Sequence, residues 1–176
     1  IIISGTSRGL GHAFAKILLE RGDRVLSVGR SEARELRRDN HLFLPLDLRD
    51  LDKLRTKVLD SFNALKSEKP DSLCLINNAA LGGAIGTLDT IDLKATEDLI
   101  AANLMAPMEL TAIFCKVFRE TKVSKKIINI SSGAAESPVS GNGPYSISKC
   151  GLEMLTKITA KETEGHNFSC IAIRPG

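Results

Sequence analysis

Tyr145 and Lys149 stand four residues apart in the run Tyr145-Ser146-Ile147-Ser148-Lys149, so on a helix they share one face and can point at one ligand. Phenols ordinarily ionise near a pH of about 10, but a nearby ammonium stabilises the phenolate, and the pair can then work as general acid or base. A half-buried tyrosine beside a solvated lysine would show the same spacing. A second group is Gly5-Thr6-Ser7-Arg8-Gly9-Leu10-Gly11, a G-x-x-x-G-x-G turn. Glycines there let the backbone turn tightly and approach a pyrophosphate, whose charge is met by the N–H groups and dipole of a helix N-terminus.

The segment about 20 residues on discriminates between dinucleotides. A ribose 2′-OH is usually bonded by Asp or Glu at the end of the second strand. The residues there are Ser27-Val28-Gly29-Arg30-Ser31, with no carboxylate, while Arg30 and Arg8 are placed to meet a 2′-phosphate with planar guanidinium groups. The reading is NADP(H); the alternative is that both arginines are solvated surface charges.

Elements that could position these groups alternate along the chain. Ile1 to Ile3 is a β-branched run, the glycine turn follows, and Leu10, Ala13, Phe14, Ile17 and Leu18 recur at helical spacing. Arg24 to Val28 is a second strand, Glu32 to Arg38 a short helix or loop, and Leu42 to Leu44 a third strand. Leu51 to Leu65 is an amphipathic helix. Ser72 to Ile76 is a fourth strand ending in Asn77-Asn78-Ala79-Ala80, and Leu93 to Glu120 one long helix broken in register by Pro107. Lys126 to Ile130 runs into Ser131-Ser132-Gly133, Tyr145 to Glu164 is a helix, and Phe168 to Ile173 a last strand before Arg174-Pro175-Gly176. Continuous apolar strands alternating with helices predict an α/β domain with a doubly wound parallel sheet covered on both faces. One domain over 1–176 is expected. The chain opens in mid-strand without Met and stops at a strand's carboxyl end, which reads as a truncation after the sixth strand.

Composition narrows the partners. The 24 basic and 21 acidic residues are scattered, so charge argues for neither nucleic acid nor membrane. No apolar run reaches the roughly 18 residues that span a bilayer, and no signal segment is visible, so a soluble cytoplasmic protein is expected. Cys74, Cys115, Cys150 and Cys170 are widely spaced and read as reduced thiols, and His12, His41 and His166 stand too far apart for a metal site.

Taken in order, Gly5-x-x-x-Gly9-x-Gly11, Asn77-Asn78-Ala79, Asn103 in the long helix, Ser132 thirteen residues before Tyr145, Lys149, and Pro175-Gly176 resemble the short-chain dehydrogenase/reductase family over the whole chain. The resemblance implies a Rossmann-type domain carrying both cofactor and catalytic residues, with a C-terminal substrate loop and last strand beyond these residues. It implies that Tyr145 is the proton donor to a substrate carbonyl oxygen, that Lys149 bonds the nicotinamide ribose, and that Ser132 holds and polarises that oxygen, with Ser131 as rival. Asn103 resembles the residue that orders a water behind Lys149; an amide satisfying backbone freed by Pro107 is the plainer account. On the cofactor side the resemblance assigns Gly5, Ser7, Arg8, Gly9, Leu10 and Gly11 to the phosphate turn. It gives Asp47 and Leu48 to the adenine, Asn78, Ala79 and Ala80 to the adenosine side, and Pro175 and Gly176 to the nicotinamide. Asp47 could equally cap the helix near Leu51. Ser4 stands where the family usually has Thr, and Ala80 where Gly is common.

The implied activity is reversible NADPH-dependent carbonyl reduction on a small molecule, in a homodimer or homotetramer. The alternatives are an NADP-dependent epimerase or dehydratase, and a dinucleotide-sensing protein that catalyses nothing. Ser132 to Lys149 is similar in general look to the sepiapterin and benzil reductase branch.

Overall fold

A computed structural model of the chain describes residues 1–83 and 85–175. The apolar runs form strands β1 (Ile2–Ser4), β2 (Val25–Gly29), β3 (His41–Pro45), β4 (Ser72–Asn77), β5 (Ser124–Ile130) and β6 (Phe168–Ile173). Between them lie α1 (Gly9–Glu20), α2 (Leu51–Ser67), α3 (Leu93–Ile100), α4 (Ala106–Phe118) and α5 (Gly143–Glu162), with short 3-10 turns at Arg34–Leu36 and Gly133–Ala135. The strands pair in parallel in the order β3-β2-β1-β4-β5-β6. Parallel neighbours need crossover connections, which place the helices on the sheet faces. The order reverses between β1 and β4, and a crevice opens there beyond the carboxyl ends of the strands.

One face is sealed by α2 and α4. Phe62, Phe114 and Phe118 are fully buried and meet at ring-centre distances of 5.0 to 6.0 Å, packing with Leu54, Val58, Leu75 and Ile127. The other face is covered by α1 through Ala15 and Leu19 against Ile3, Val25 and Leu36. Beyond α1 this second face leaves an apolar groove of about 200 Å³ between Phe14, Ile17 and Leu18 and the strand residues Ile76, Ile128, Ile130 and Ile173.

The long helical stretch departs from expectation. Its register changes ahead of Pro107, where Ala101–Met105 forms a π-helical turn, and Pro107 sits in the first turn of α4, where a missing N–H costs little. Leu93–Phe118 is long and apolar enough on average to cross a membrane, which scanning for uninterrupted apolar runs missed. It is a core helix, with Leu99, Leu110, Phe114 and Phe118 buried.

Candidate active site

A cleft of about 430 Å³ runs along the carboxyl ends of the strands, from Arg30 and Asp47 at one end to Ser132 and Tyr145 at the other. Of the residues assigned from sequence, Gly5, Ser7, Arg8, Gly9, Leu10, Arg30, Asp47, Leu48, Asn78, Ala79, Ala80, Ser132, Tyr145, Lys149 and Pro175 line it. Gly11 and Asn103 lie behind the wall, and Gly176 lies outside the described residues.

The glycine turn is shaped by close packing on β4. Gly5 has φ +75°, and a Cβ there would come within 2.8 Å of Ala79 Cα. A Cβ on Gly11 would fall 2.2 Å from the Gly5 carbonyl and 2.3 Å from Asn78 Nδ2. Only hydrogen fits at Gly11, because Asn78 ties the turn down by donating from Nδ2 to the carbonyls of Ser4 (3.0 Å) and Gly5 (2.9 Å). Ser4 Oγ in turn accepts the N–H groups of Asn78 and Ala79 at 3.0 and 3.1 Å, so serine supplies the hydroxyl where the family usually has Thr. The first turn of α1 has no acidic residue and its N-cap, Arg8, offers no side-chain cap, so the orphan N–H groups there face the cleft without an internal anion. This cradle fits a dinucleotide pyrophosphate.

At the nucleotide end Arg8 and Arg30 are exposed, and neither enters an ion pair among the described residues. Asp47 does not cap α2: that role belongs to Asp50, whose carboxylate accepts from Lys53 N–H at 3.1 Å. Asp47 accepts from Arg49 at its backbone N–H (3.0 Å), Nε (3.0 Å) and Nη2 (2.6 Å). These hydrogen bonds hold the carboxyl at about 2, with Arg30 nearby adding to the effect. Arg49, which lines the cleft and also donates to Asp98 at 2.6 Å, was not singled out from sequence. A cation two residues beyond an assigned carboxylate, in a turn, was the available signal.

At the other end α5 brings Tyr145 and Lys149 together. The N-terminal turn starts at Gly143 with Pro144, so Tyr145 lies in the first turn and Lys149 one turn on. Lys149 is only 3% exposed; its Nζ donates to the Ile130 carbonyl at 2.8 Å and lies 5.6 Å from the centre of the Tyr145 ring. Burial pulls its ammonium down to about 8, a value at which it can give or take a proton near neutrality. Ser131 and Ser132 are separated by the alternation of extended chain. Both line the cleft, but Ser131 Oγ turns to α5 and donates to Glu153 at 2.7 Å, while Ser132 Oγ accepts the Ala134 N–H at 3.2 Å.

Asn103, fully buried in the π turn, forms a closed pair with Leu81 beyond β4: Oδ1 accepts its N–H and Nδ2 donates to its carbonyl, both at 2.7 Å. It therefore pins the loop that follows Asn78-Ala79-Ala80 rather than satisfying backbone freed by Pro107. The second Nδ2 hydrogen is directed to Ser148 Oγ at 3.5 Å. No cluster of His, Cys, Asp or Glu able to hold a metal occurs among the described residues.

A model of the short chain dehydrogenase family matches residues 1–176. A benzil reductase of the (S)-benzoin-forming type from Bacillus cereus is 38% identical, covering 100% of this chain and 74% of its own length. A metagenomic short-chain oxidoreductase solved in complex with NADP superposes with a TM-score of 0.85 at 29% identity, covering 100% of this chain and 80% of that one. A 4-hydroxyisoleucine dehydrogenase complexed with NADH and succinate superposes with a TM-score of 0.83 at 28% identity, covering 100% and 79%.

Proposed function

The chain belongs to the short-chain dehydrogenase family and is an oxidoreductase, and from that premise we propose that it reduces a small-molecule carbonyl to an alcohol, reversibly, with NADPH and with Tyr145 as the proton donor. The observation that carries this reading is one cleft with a phosphate cradle at one end and Ser132, Tyr145 and Lys149 at the other. The bound dinucleotide supplies the hydride.

The chain's own residues do the rest. Gly5, Ser7, Arg8, Gly9 and Leu10 hold the pyrophosphate, Gly11 gives the turn its depth, and Arg8 and Arg30 meet the 2′-phosphate. Asp47 and Leu48 flank the adenine, Asn78, Ala79 and Ala80 line the adenosine side, and Pro175 with Gly176 passes the nicotinamide. Ser132 orients and polarises the substrate oxygen, and Tyr145 gives it a proton in reduction and removes one in oxidation. Lys149 stabilises the resulting phenolate as long as it is charged, which weakens as pH rises through about 8. Asn103 keeps one lone pair on Oδ1 available to order a water behind Lys149. Its amide otherwise fixes the wall of the cleft.

The preference for NADP(H) over NAD(H) is supported by two guanidinium groups without an ion pair among the described residues and by the absence of a carboxylate at Gly29. The Bacillus cereus relative points first to a 1,2-diketone such as benzil as substrate. Four free cysteines suit a cytoplasmic setting, where thiols stay reduced. Ile147, Met154 and Ile158 form an exposed apolar stripe on α5, which suits a homodimer or homotetramer. The test is oxidation of NADPH, and of NADH in parallel, with a panel of diketones, aldehydes and 3-oxoacyl thioesters. The reading expects turnover with at least one diketone; no turnover with any carbonyl, despite dinucleotide binding, would replace it with the sensing alternative.

A further inference from the structure

The groups assigned to the reaction reach the cleft from separate stretches of backbone: Ser132 follows β5, Tyr145 and Lys149 ride on α5, and Pro175 follows β6. Three strand or helix ends that only abut one another would let these groups drift, and a displacement of about 1 Å can cost about 10²-fold in rate. A single carboxylate ties the three ends together. Glu153 lies on α5 one helical turn beyond Lys149 and two beyond Tyr145, hence on their side of the helix. Its Oε1 accepts from Ser131 Oγ at 2.7 Å and from Arg174 Nε at 2.7 Å, and its Oε2 accepts from Arg174 Nη2 at 2.7 Å. Ser131 is the residue before Ser132, and Arg174 the residue before Pro175. The third arm of Arg174, Nη1, pairs with Glu136 in the loop just after Ser132.

The arrangement is built rather than incidental. Ser131 is 3% exposed, the Glu153 side chain 14%, and the fork of Arg174 on the carboxylate is bidentate, which fixes direction as well as distance. The Ser131 N–H also donates to the Ile173 carbonyl at 2.7 Å, so backbone and side chain pull the end of β5 toward the same neighbours. Extended-chain alternation sends Ser132 to the opposite side from the Ser131 hydroxyl, so fixing Ser131 on α5 fixes the direction of Ser132 as well. Neither the hydride transfer nor the proton transfer proposed above uses Glu153, Arg174 or Ser131. The Arg174 fork and the Ser131 hydroxyl hold the Glu153 carboxyl at about 2, so the tie persists across any pH at which the enzyme would be assayed.

We propose that Glu153 is a positioning residue: through Ser131 and Arg174 it holds Ser132 in register with Tyr145 and Lys149. This rests on the reading that Ser132, Tyr145 and Lys149 carry the reaction.

The test is a double-mutant cycle on the whole protein, with benzil and NADPH as probes, reading kcat, the dissociation constant of NADPH and the melting temperature. Glu153→Gln keeps the shape of the side chain but presents an amide to the arginine fork. It is expected to lower kcat at least tenfold while the NADPH dissociation constant stays within about threefold. In the Ser132→Ala background the same change should cost less than about threefold, because the hydroxyl it positions is gone. Ser131→Ala, a smaller change that leaves the Glu153–Arg174 pair intact, repeats the cycle where Glu153→Gln does not fold, and is expected to show the same loss of effect without Ser132. A merely structural Glu153 would lower the melting temperature while its effects on kcat added to those of Ser132→Ala; that result overturns the inference. A fall in NADPH affinity that accounts for the whole loss overturns it too. Should Ser132→Ala and Tyr145→Phe alone leave kcat at the parent level, the underlying reading fails instead, and the two failures are told apart by the single variants.

Discussion

Replacing Lys149 by methionine removes an ammonium 5.6 Å from the centre of the Tyr145 ring while keeping an unbranched apolar stem, one atom shorter. Taking the distance to the ring centre as the scale of the separation, with an effective dielectric constant of about 20, an ammonium stabilises a phenolate by about 3 kcal/mol, a factor of about 10². Alcohol oxidation, in which Tyr145 must carry negative charge before it takes the proton, should therefore slow by about 10²-fold at pH 7 in Lys149→Met. The direction with pH follows from burial. Desolvation lowers the Lys149 ammonium to about 8, so the parent has its charge below that value and loses it above. The ratio of parent to variant rates should accordingly be greatest below about pH 8 and shrink as pH rises through it. The substitution also deprives the Ile130 carbonyl of its donor, a loss of about 1–3 kcal/mol in stability, so rates belong well below the melting temperature and at saturating cofactor. The assay is the pH profile of kcat for oxidation of a secondary alcohol by both proteins. A ratio that stays constant from pH 6 to about 10, or a loss of less than about threefold at pH 7, would refute the electrostatic role.

The cofactor end makes an independent prediction: Arg30→Asp removes a charge-assisted contact worth about 1.5–3 kcal/mol and should weaken NADPH at least about tenfold, reversing its order with NADH in a fluorescence titration. Equal dissociation constants for the two cofactors in the parent would contradict it. Lys125 is fully buried on β5, with Nζ donating to the carbonyls of Phe118 (3.4 Å) and Thr121 at the end of α4 and lying 4.9 Å from the Phe168 ring centre. Lys125→Met relieves a desolvated charge but leaves these carbonyls without a donor, so the loss should dominate at about 1–3 kcal/mol, and an unchanged denaturation midpoint would reject that balance. Sedimentation of the whole protein should show a dimer or tetramer, and Met154→Glu with Ile158→Glu a smaller species; a parent monomer would reject the α5 stripe as an interface.

Much of this was legible because local pattern and tertiary demand agree. Phe168–Ile173, apolar but for Ser169, is a strand with those bounds in the fold, and the Tyr145 to Lys149 spacing needs only a helix to become a shared face. The parts that were not legible depend on partners distant in sequence. The π turn at Ala101–Met105 accompanies Asn103 closing on Leu81, which no periodicity of the helix itself announces. The sequence starts this strand at Lys126, yet it begins at Ser124, and its alternation sends Lys125 into the core and Lys126 outward. Ser131 and Ser132 were told apart only by the family interval to Tyr145, whereas the physical distinction is the Glu153 carboxylate 22 residues beyond Ser131. Arg49 was missed because its significance comes from bridging Asp47 in its own turn to Asp98 on α3, distant in sequence.

The central claim is that Tyr145 moves the proton. Its most direct test is the rate at which NADPH is consumed by benzil in Tyr145→Phe against the parent, with NADPH affinity measured on the same samples. The ring, its packing and the Lys149 contact to Ile130 survive this substitution. The account predicts a loss of at least about 10²-fold, in the range of 10²–10⁴ typical of general acid catalysis, with NADPH affinity within about twofold of the parent. Turnover in Tyr145→Phe within a few fold of a parent that reduces benzil would contradict it.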